Sequence, residues 1–501
     1  MKLALGLLGL LAAASCGSAE PPRPNVLLIT IDTLRADHVG AYGYARATTP
    51  RLDEFARECV VLDRAQSPRA KTTPAIASLL TGLYPHAHGV RDLASPLASN
   101  VPLLPDALRE HDYATGAIVG NWVLGDARSG LARGFDVWCE SLPDTTGVPP
   151  DGAPQRRASG ITDAALVALG LAAAPADPEF EPRVPLAREG RPWFLWLHYM
   201  DPHGAYEPPE EHRVFEREAP DPVSVSDDDA NGPHRKRVAL YNVPEQAWID
   251  SEHVDAARVR DLYDGEIRYA DSEIGRLLDR LRESGALDST VVIVTADHGE
   301  SLGEHRYWFE HGAYAYESTV RVPLLVRAPG LAARRCGEPF SLADLAPTLC
   351  ELLEIERDAP EGLAGASKLA AWRGTSIPAA AIYCEKVEAA HLDGAVQHKA
   401  VRLGDWKLIQ RYASRTSADG ARRETLVVGE ELYDLAADPL ESFDLSAAPG
   451  AAPIESLRRE LARFVAEDRG LAELGALLAA RRKGLEISDP DAARTLRLLG
   501  Y

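Results

Sequence analysis

The run Lys71-Thr72-Thr73-Pro74-Ala75-Ile76-Ala77-Ser78-Leu79-Leu80-Thr81-Gly82, continued by Leu83-Tyr84-Pro85-His86-Ala87-His88-Gly89, is the most informative part of the chain. Pro74 suits the first turn of a helix, where its missing N–H costs nothing, and the apolar residues after it predict a helix running through Ile76 to Leu80. Two hydroxyls, Thr72 and Thr73, then stand at the positive end of that helix, which favours an alkoxide or a bound anion. An ordinary Thr N-cap is the plainer use of such a residue. Thr73 suits that role and leaves Thr72 free for chemistry.

Outward from this segment, residues 26–31 form a continuous apolar, β-branched run that ends at Asp32, and 291–295 form a second that ends at Asp297-His298. Such runs read as strands buried on both faces of a parallel sheet. Residues 117–119 lead into Gly120-Asn121, and 194–197 lead into His198. Four strands thus deliver polar residues at their carboxyl ends, the edge where open α/β sheets bind ligands. A strand-end Asp32 and a distant Asp297-His298 pair can converge on one divalent cation. Tyr263, Ile267, Ala270, Ile274, Leu277 and Leu281 step by four and three, the stripe of a helix packed on the sheet.

The opening segment resembles the nucleophile segment of the sulfatases and alkaline-phosphatase-like hydrolases. In sulfatases it begins with a cysteine or serine that becomes formylglycine, followed by x-Pro-x-Arg. The Leu79-Leu80-Thr81-Gly82 end fixes the register, so Thr72 falls at the nucleophile position and Ile76 falls where the arginine belongs. Asp297-His298-Gly299-Glu300-Ser301-Leu302-Gly303-Glu304-His305 resembles the family's metal segment. Glu431-Leu432-Tyr433-Asp434-Leu435-Ala436-Ala437-Asp438-Pro439 resembles its carboxyl-terminal signature. The resemblance covers Pro24 to about Leu445 and implies an α/β fold: a large mixed sheet sandwiched by helices, with a small carboxyl-terminal α+β subdomain. The expected division is a lipoprotein-type signal at 1–16, a tether at 17–24, a catalytic domain at 25–330 with insertions near 141–158 and 210–251, and a second unit at 331–501. In that second unit, residues 399–409 alternate like an antiparallel strand pair.

The resemblance also implies a site. Asp32, Asp297 and His298 would hold one divalent ion, with Thr72 completing the set as an alkoxide ligand and acting as the nucleophile. Formylglycine sulfatases carry a second aspartate after the first strand, where this chain has Thr33. Fewer carboxylates plus an imidazole favour Zn²⁺ or Mn²⁺, with Ca²⁺ or Mg²⁺ the remaining choices. In Gly120-Asn121-Trp122-Val123-Leu124-Gly125, Asn121 stands for a family lysine and Val123 for a histidine, so Asn121 would donate hydrogen bonds to the transferring group without a full charge. His203, in Asp201-Pro202-His203-Gly204, and His311, in Glu310-His311-Gly312, match family active-site positions and would bind the oxyanion or protonate the leaving oxygen. Lys71 and Arg69 flank the nucleophile as possible replacements for the missing arginine, and Asp37 and His38 read as supporting residues.

The 501 residues are 46% hydrophobic, fit for a well-cored globular protein, and carry a net charge of −21 that repels nucleic acid. The apolar run at 3–14 is too short to span a bilayer, and Ala13-Ala14-Ser15-Cys16-Gly17 resembles a bacterial lipobox. The expectation is export and a lipid anchor on Cys16, with an ordinary secretory signal as the alternative. Cys59, Cys139, Cys336, Cys350 and Cys384 contain no CxxC pair. The expected activity is metal-dependent hydrolysis of sulfate- or phosphate-type esters, the substrate being a small anionic ester or a sulfated or phosphorylated glycan or lipid. Loss of the formylglycine precursor, the arginine and the lysine points to phosphate or phosphonate esters; the family points to sulfate esters cleaved without formylglycine. A non-catalytic, anion-binding envelope lipoprotein is the competing class.

Overall fold

A computed structural model describes residues 23–468 without 94, 141–154, 177–180, 183–184, 188–189, 217–218, 226–235, 358–361, 363, 387–395, 417–422 and 451. The proposed signal, the lipobox with Cys16, and the acidic run 227–229 lie outside the described residues.

The apolar runs form the strands expected of them. β1 (Asn25–Ile31), β2 (Val60–Leu62), β3 (Ala114–Val119), β4 (Val137–Cys139), β5 (Trp193–Tyr199), β6 (Thr290–Ala296), β7 (Leu324–Arg327) and β8 (Arg334–Cys336) make one eight-stranded sheet in the order β8-β2-β7-β6-β1-β5-β3-β4. From β6 to β4 neighbouring strands are parallel, while β7 runs antiparallel to both β6 and β2. The sheet is therefore mixed. The central strands β1, β5 and β6 are buried along almost their whole length, which explains their unbroken apolar sequences.

Two helices fix what matters for the site. α1 (Thr72–Thr81) is wholly buried and ends on Gly82 in the left-handed region. Its amino end differs from expectation. Lys71 occupies the cap position, no side chain caps the helix, and the Thr73 hydroxyl lies 3.4 Å from the Val123 carbonyl instead. α2 (Ala256–Glu283) starts where the Asp255 carboxylate accepts from the backbone N–H groups of Ala257 and Arg258, and it carries Arg280 and Arg282 in its last turn. All six stripe residues from Tyr263 to Leu281 are buried against the sheet.

β9 (Ile382–Lys386), β10 (Val396–Leu403), β11 (Trp406–Thr416) and β12 (Arg423–Asp434) form a separate antiparallel sheet in sequence order. Leu457, Leu461 and Phe464 of a closing helix, Ile454–Glu467, pack on it, with Phe464 stacked on Tyr383 and edge-on to Tyr84. Under this sheet lies a buried charge cluster: Lys399 Nζ sits 2.7 Å from Glu385 and 2.6 Å from Asp468, and Arg91 reaches both carboxylates. Burial alone would raise the Glu385 carboxyl, but Arg91 and Lys399 outweigh it and hold the group below the ordinary range. Lys399→Met should therefore destabilise the fold by about 3–5 kcal/mol, because it leaves two buried carboxylates short of a counter-charge. Denaturant unfolding measures this, and a loss under about 1 kcal/mol would show that the cluster is already balanced by Arg91.

The five cysteines from Cys59 onward are buried free thiols. Among the described residues no helix is long and apolar enough to cross a membrane.

Candidate active site

Strands β6, β1, β5 and β3 lie side by side, and their carboxyl ends bring Asp297-His298, Asp32, His198 and Asn121 into one row of the sheet edge. α1 points its first residue at that row. Thr72 Oγ1 is 3.4 Å from His298 Nε2. His298 Nε2 lies 3.4 Å from Asp297 and 3.9 Å from Asp32. Asp32, Thr72, Asp297 and His298 are fully buried. The four groups expected to surround a cation are thus together, drawn from three distant segments.

The donor chemistry of this set fits a cation. Asp32 Oδ1, Thr33 Oγ1 and Asp297 Oδ2 are buried oxygens with no hydrogen-bond partner, a costly arrangement unless something positive meets them. His298 Nδ1 donates to the Gly299 carbonyl at 3.0 Å, which leaves the lone pair of Nε2 facing the carboxylates, as a metal-ligating imidazole requires. Burial, then the neighbouring His311, push His298 far below the usual histidine range, so it is neutral. Burial and the charge of Asp32 push Asp297 well above the usual carboxylate range, the expected response of two carboxylates that share a site without a counter-ion.

Local backbone supports this geometry. Thr33 sits at φ 57°, a strained position for a β-branched residue, and is held there by Tyr263, whose hydroxyl donates to the Thr33 carbonyl at 2.7 Å, and by its own N–H toward Asp297 at 3.3 Å. A Cβ at position 299 would run into the Ser318 carbonyl, so glycine after His298 lets that turn close on the 318–319 backbone. Arg35 pairs with Asp37 and Glu304 and donates to the Glu300 carbonyl, and His38 Nδ1 is 2.7 Å from Asp264.

Two further histidines line the same place. The His311 ring is 4.4 Å from that of His298 and 5.3 Å from that of His203. His203 Nδ1 donates to the Gly204 carbonyl at 2.9 Å, so its Nε2 is the atom that takes up or releases a proton. His311 Nδ1 lies 3.3 Å from Glu300, and burial and then His203 lower its pKa to about 3. Burial raises Glu300 to about 8. His311 is therefore a neutral hydrogen-bonding group here.

The family model described as Sulfatase matches residues 24–355, and one described as N-sulphoglucosamine sulphohydrolase, C-terminal, matches 303–467. The chain belongs to the sulfatase family. A choline-sulfatase of Rhizobium meliloti is 26% identical to this sulfatase-family chain, over 85% of it and 83% of the relative. An N-acetylglucosamine-6-O-sulfatase of Bacteroides thetaiotaomicron is 25% identical, over 100% of this chain and 93% of the relative. The crystal structure of a phosphonate monoester hydrolase of Agrobacterium radiobacter superposes with a TM-score of 0.62 at 21% identity, covering 89% of this chain and 96% of that one. The alkaline-phosphatase-like fold and an ester-hydrolase activity follow.

Within this sulfatase-family site, some residues sit differently from the sequence reading. Asn121 Nδ2 donates to Asp32 Oδ2 at 2.7 Å, so one of its two amide hydrogens is engaged with a carboxylate and not with substrate. Lys71 pairs with Asp92 at 2.7 Å and Arg69 donates to the Glu385 carbonyl, so both are tied to structure. The sequence marks His198 only as a strand-end residue, yet its ligand atom lies with those of Asp32 and Asp297 within 4.8 Å. Its signal is its place as the one imidazole in the aromatic strand Trp193–Tyr199.

Proposed function

We propose that the chain hydrolyses phosphate- or phosphonate-type esters with Thr72 as the nucleophile and a divalent ion held by Asp32, Asp297 and His298. The observation that carries this is the Thr72 hydroxyl at the first turn of α1, 3.4 Å from His298 Nε2, which itself lies 3.4 Å from the Asp297 carboxylate. A bound divalent ion would lower the pKa of that hydroxyl and offset charge on the ester oxygens. The nitrogen of His298 and the absence of a second aspartate at Thr33 favour Zn²⁺ or Mn²⁺.

Thr72 Oγ1 attacks phosphorus or sulfur in line with the departing alcohol, and the helix amino end stabilises the anion around it. His203 Nε2 delivers a proton to the leaving oxygen; His311 and the second amide hydrogen of Asn121 bind the transferring group. Water then hydrolyses the threonine ester directly. A formylglycine hydrate can expel sulfate by collapsing to the aldehyde, and threonine has no such route. Together with Ile76 and Asn121 in place of cationic residues, this favours the phosphorus esters. Sulfate-ester hydrolysis without formylglycine is the second reading, favoured by relatives named for choline sulfate and N-acetylglucosamine 6-O-sulfate. A parallel assay of the metal-replete protein on aryl sulfate, phosphate monoester, phosphodiester and phosphonate monoester decides between them. Turnover of none of the four would favour the anion-binding lipoprotein.

His203→Ala should lower turnover by about 10²–10³-fold on alkyl esters and much less on nitrophenyl esters, whose leaving groups need little protonation. Equal losses on both would remove His203 from the role of acid. We also propose that the protein is exported and anchored through Cys16. Mass spectrometry of the native membrane fraction should find diacylglycerol on that residue; an unmodified mature terminus beyond it would rule the anchor out.

A further inference from the structure

We propose that His198 is a positioning residue that makes Asp32 bind the cation through one oxygen. This rests on reading Asp32 as a cation ligand. The two oxygens of Asp32 have different surroundings. Oδ2 faces Asn121 Nδ2 at 2.7 Å and His198 Nε2 at 3.2 Å, whereas Oδ1 is buried without a partner. Two donors occupy Oδ2, and Oδ1 is left for the ion.

This assignment requires a hydrogen on His198 Nε2, and the strand behind it provides that. Trp196 Nε1 is 2.9 Å from Thr30 Oγ1, and an indole N–H can only donate. The Thr30 hydroxyl thus accepts from Trp196 and passes its own hydrogen on. His198 Nδ1 at 2.8 Å is the better-placed acceptor, compared with the Leu197 carbonyl at 3.3 Å. With Nδ1 accepting, Nε2 carries the hydrogen and donates it to Asp32. The result is a one-way relay, Trp196 to Thr30 to His198 to Asp32, all of it buried. The register builds it: Thr30 and His198 are cross-strand partners on β1 and β5, and Trp196 and Asp32 each lie one pleat away, on the same face as their neighbours. The alternative, His198 as a further metal ligand, requires a bare Nε2 facing Oδ2 at 3.2 Å.

Two measurements on the full-length protein test this. Zn²⁺ titration of the apoprotein should show stoichiometric uptake, weakened roughly 10- to 100-fold in His198→Ala and less in the isosteric Thr30→Val, the range expected for a group that orients a ligand. Histidine-labelled NMR should show His198 protonated at Nε2 in the wild type, both apo and Zn²⁺-loaded, and a mixture of tautomers in Thr30→Val. If His198→Ala binds Zn²⁺ as tightly as the wild type, the positioning role is wrong. If the Nε2 hydrogen disappears on Zn²⁺ loading, His198 is a ligand and the relay is overturned. The NMR result stands even where His198→Ala fails to fold. Wild-type protein that takes up no ion would remove the metal assignment and this inference with it, a result distinct from a variant that binds normally.

Discussion

Thr72→Ala should lower turnover by several powers of ten on whichever ester the wild type cleaves best. It removes the proposed attacking oxygen, and no neighbouring group replaces it: the Thr73 hydroxyl is turned to the Val123 carbonyl. The fold should survive. Thr72 does not cap its helix, so the variant loses no cap, and the void left by one hydroxyl and one methyl is small. Thr72→Ser should keep part of the activity, and Thr73→Ala should change turnover by only a few-fold. The measurement is kcat with the unfolding midpoint recorded beside it. Near-normal turnover in Thr72→Ala would mean that another oxygen attacks, and the alignment of the Leu79-Leu80-Thr81-Gly82 register would have to be redrawn.

Asp297→Ala should abolish stoichiometric uptake of Zn²⁺ or Mn²⁺ and reduce turnover by at least about 10³-fold. The residue carries one of the buried oxygens without a partner and lies 3.4 Å from His298 Nε2, the atom that also faces Thr72. Its loss therefore strikes the ion and the nucleophile together. Elemental analysis of the purified variant and wild type gives the first quantity, and steady-state kinetics the second. The same kinetics should be reached reversibly by treating the wild type with a chelator and then restoring the ion. A variant that retains a full equivalent of tightly bound metal would show that the cation is held by other groups. In the apoprotein, Asp297→Asn should be less harmful to the fold than its full burial suggests, since Asp297 is already driven toward the neutral form when no ion is present.

The parts of the site that were legible in the sequence are those that one strand can announce by itself. Asp32 and Asp297-His298 each terminate an apolar run that had to be a buried parallel strand, so their place at the carboxyl edge followed from local pattern. Pro74 indicates the start of the helix that carries Thr72 and Thr73, whereas the choice of Thr72 came from the register set by Leu79-Leu80-Thr81-Gly82. What depends on register between strands was not legible. His198 contacts Asp32 because β5 pairs with β1 with residue 198 opposite Thr30, and nothing in either strand alone states that offset. Asn121 was assigned to substrate by its motif, and only the adjacency of β3 and β5 shows how close it comes to Asp32. Thr73 was misread as a cap because propensity at a helix start says which residue types suit the position; the competing carbonyl, at Val123, comes from another part of the chain.

The order of strands across the sheet also dictates when the site comes into being. β6, which brings Asp297 and His298, is inserted between β1 and β7, although some 260 residues separate it from β1 along the chain. A nascent polypeptide therefore has Asp32 and Thr72 early but cannot close the cage until residue 298 has emerged and the centre of the sheet has formed around β6. On the proposed metal reading, ion capture would be a late checkpoint of maturation: a chain truncated or stalled before β6 would present isolated carboxylates and a dormant hydroxyl, and competence for hydrolysis would arrive all at once with the last central strand.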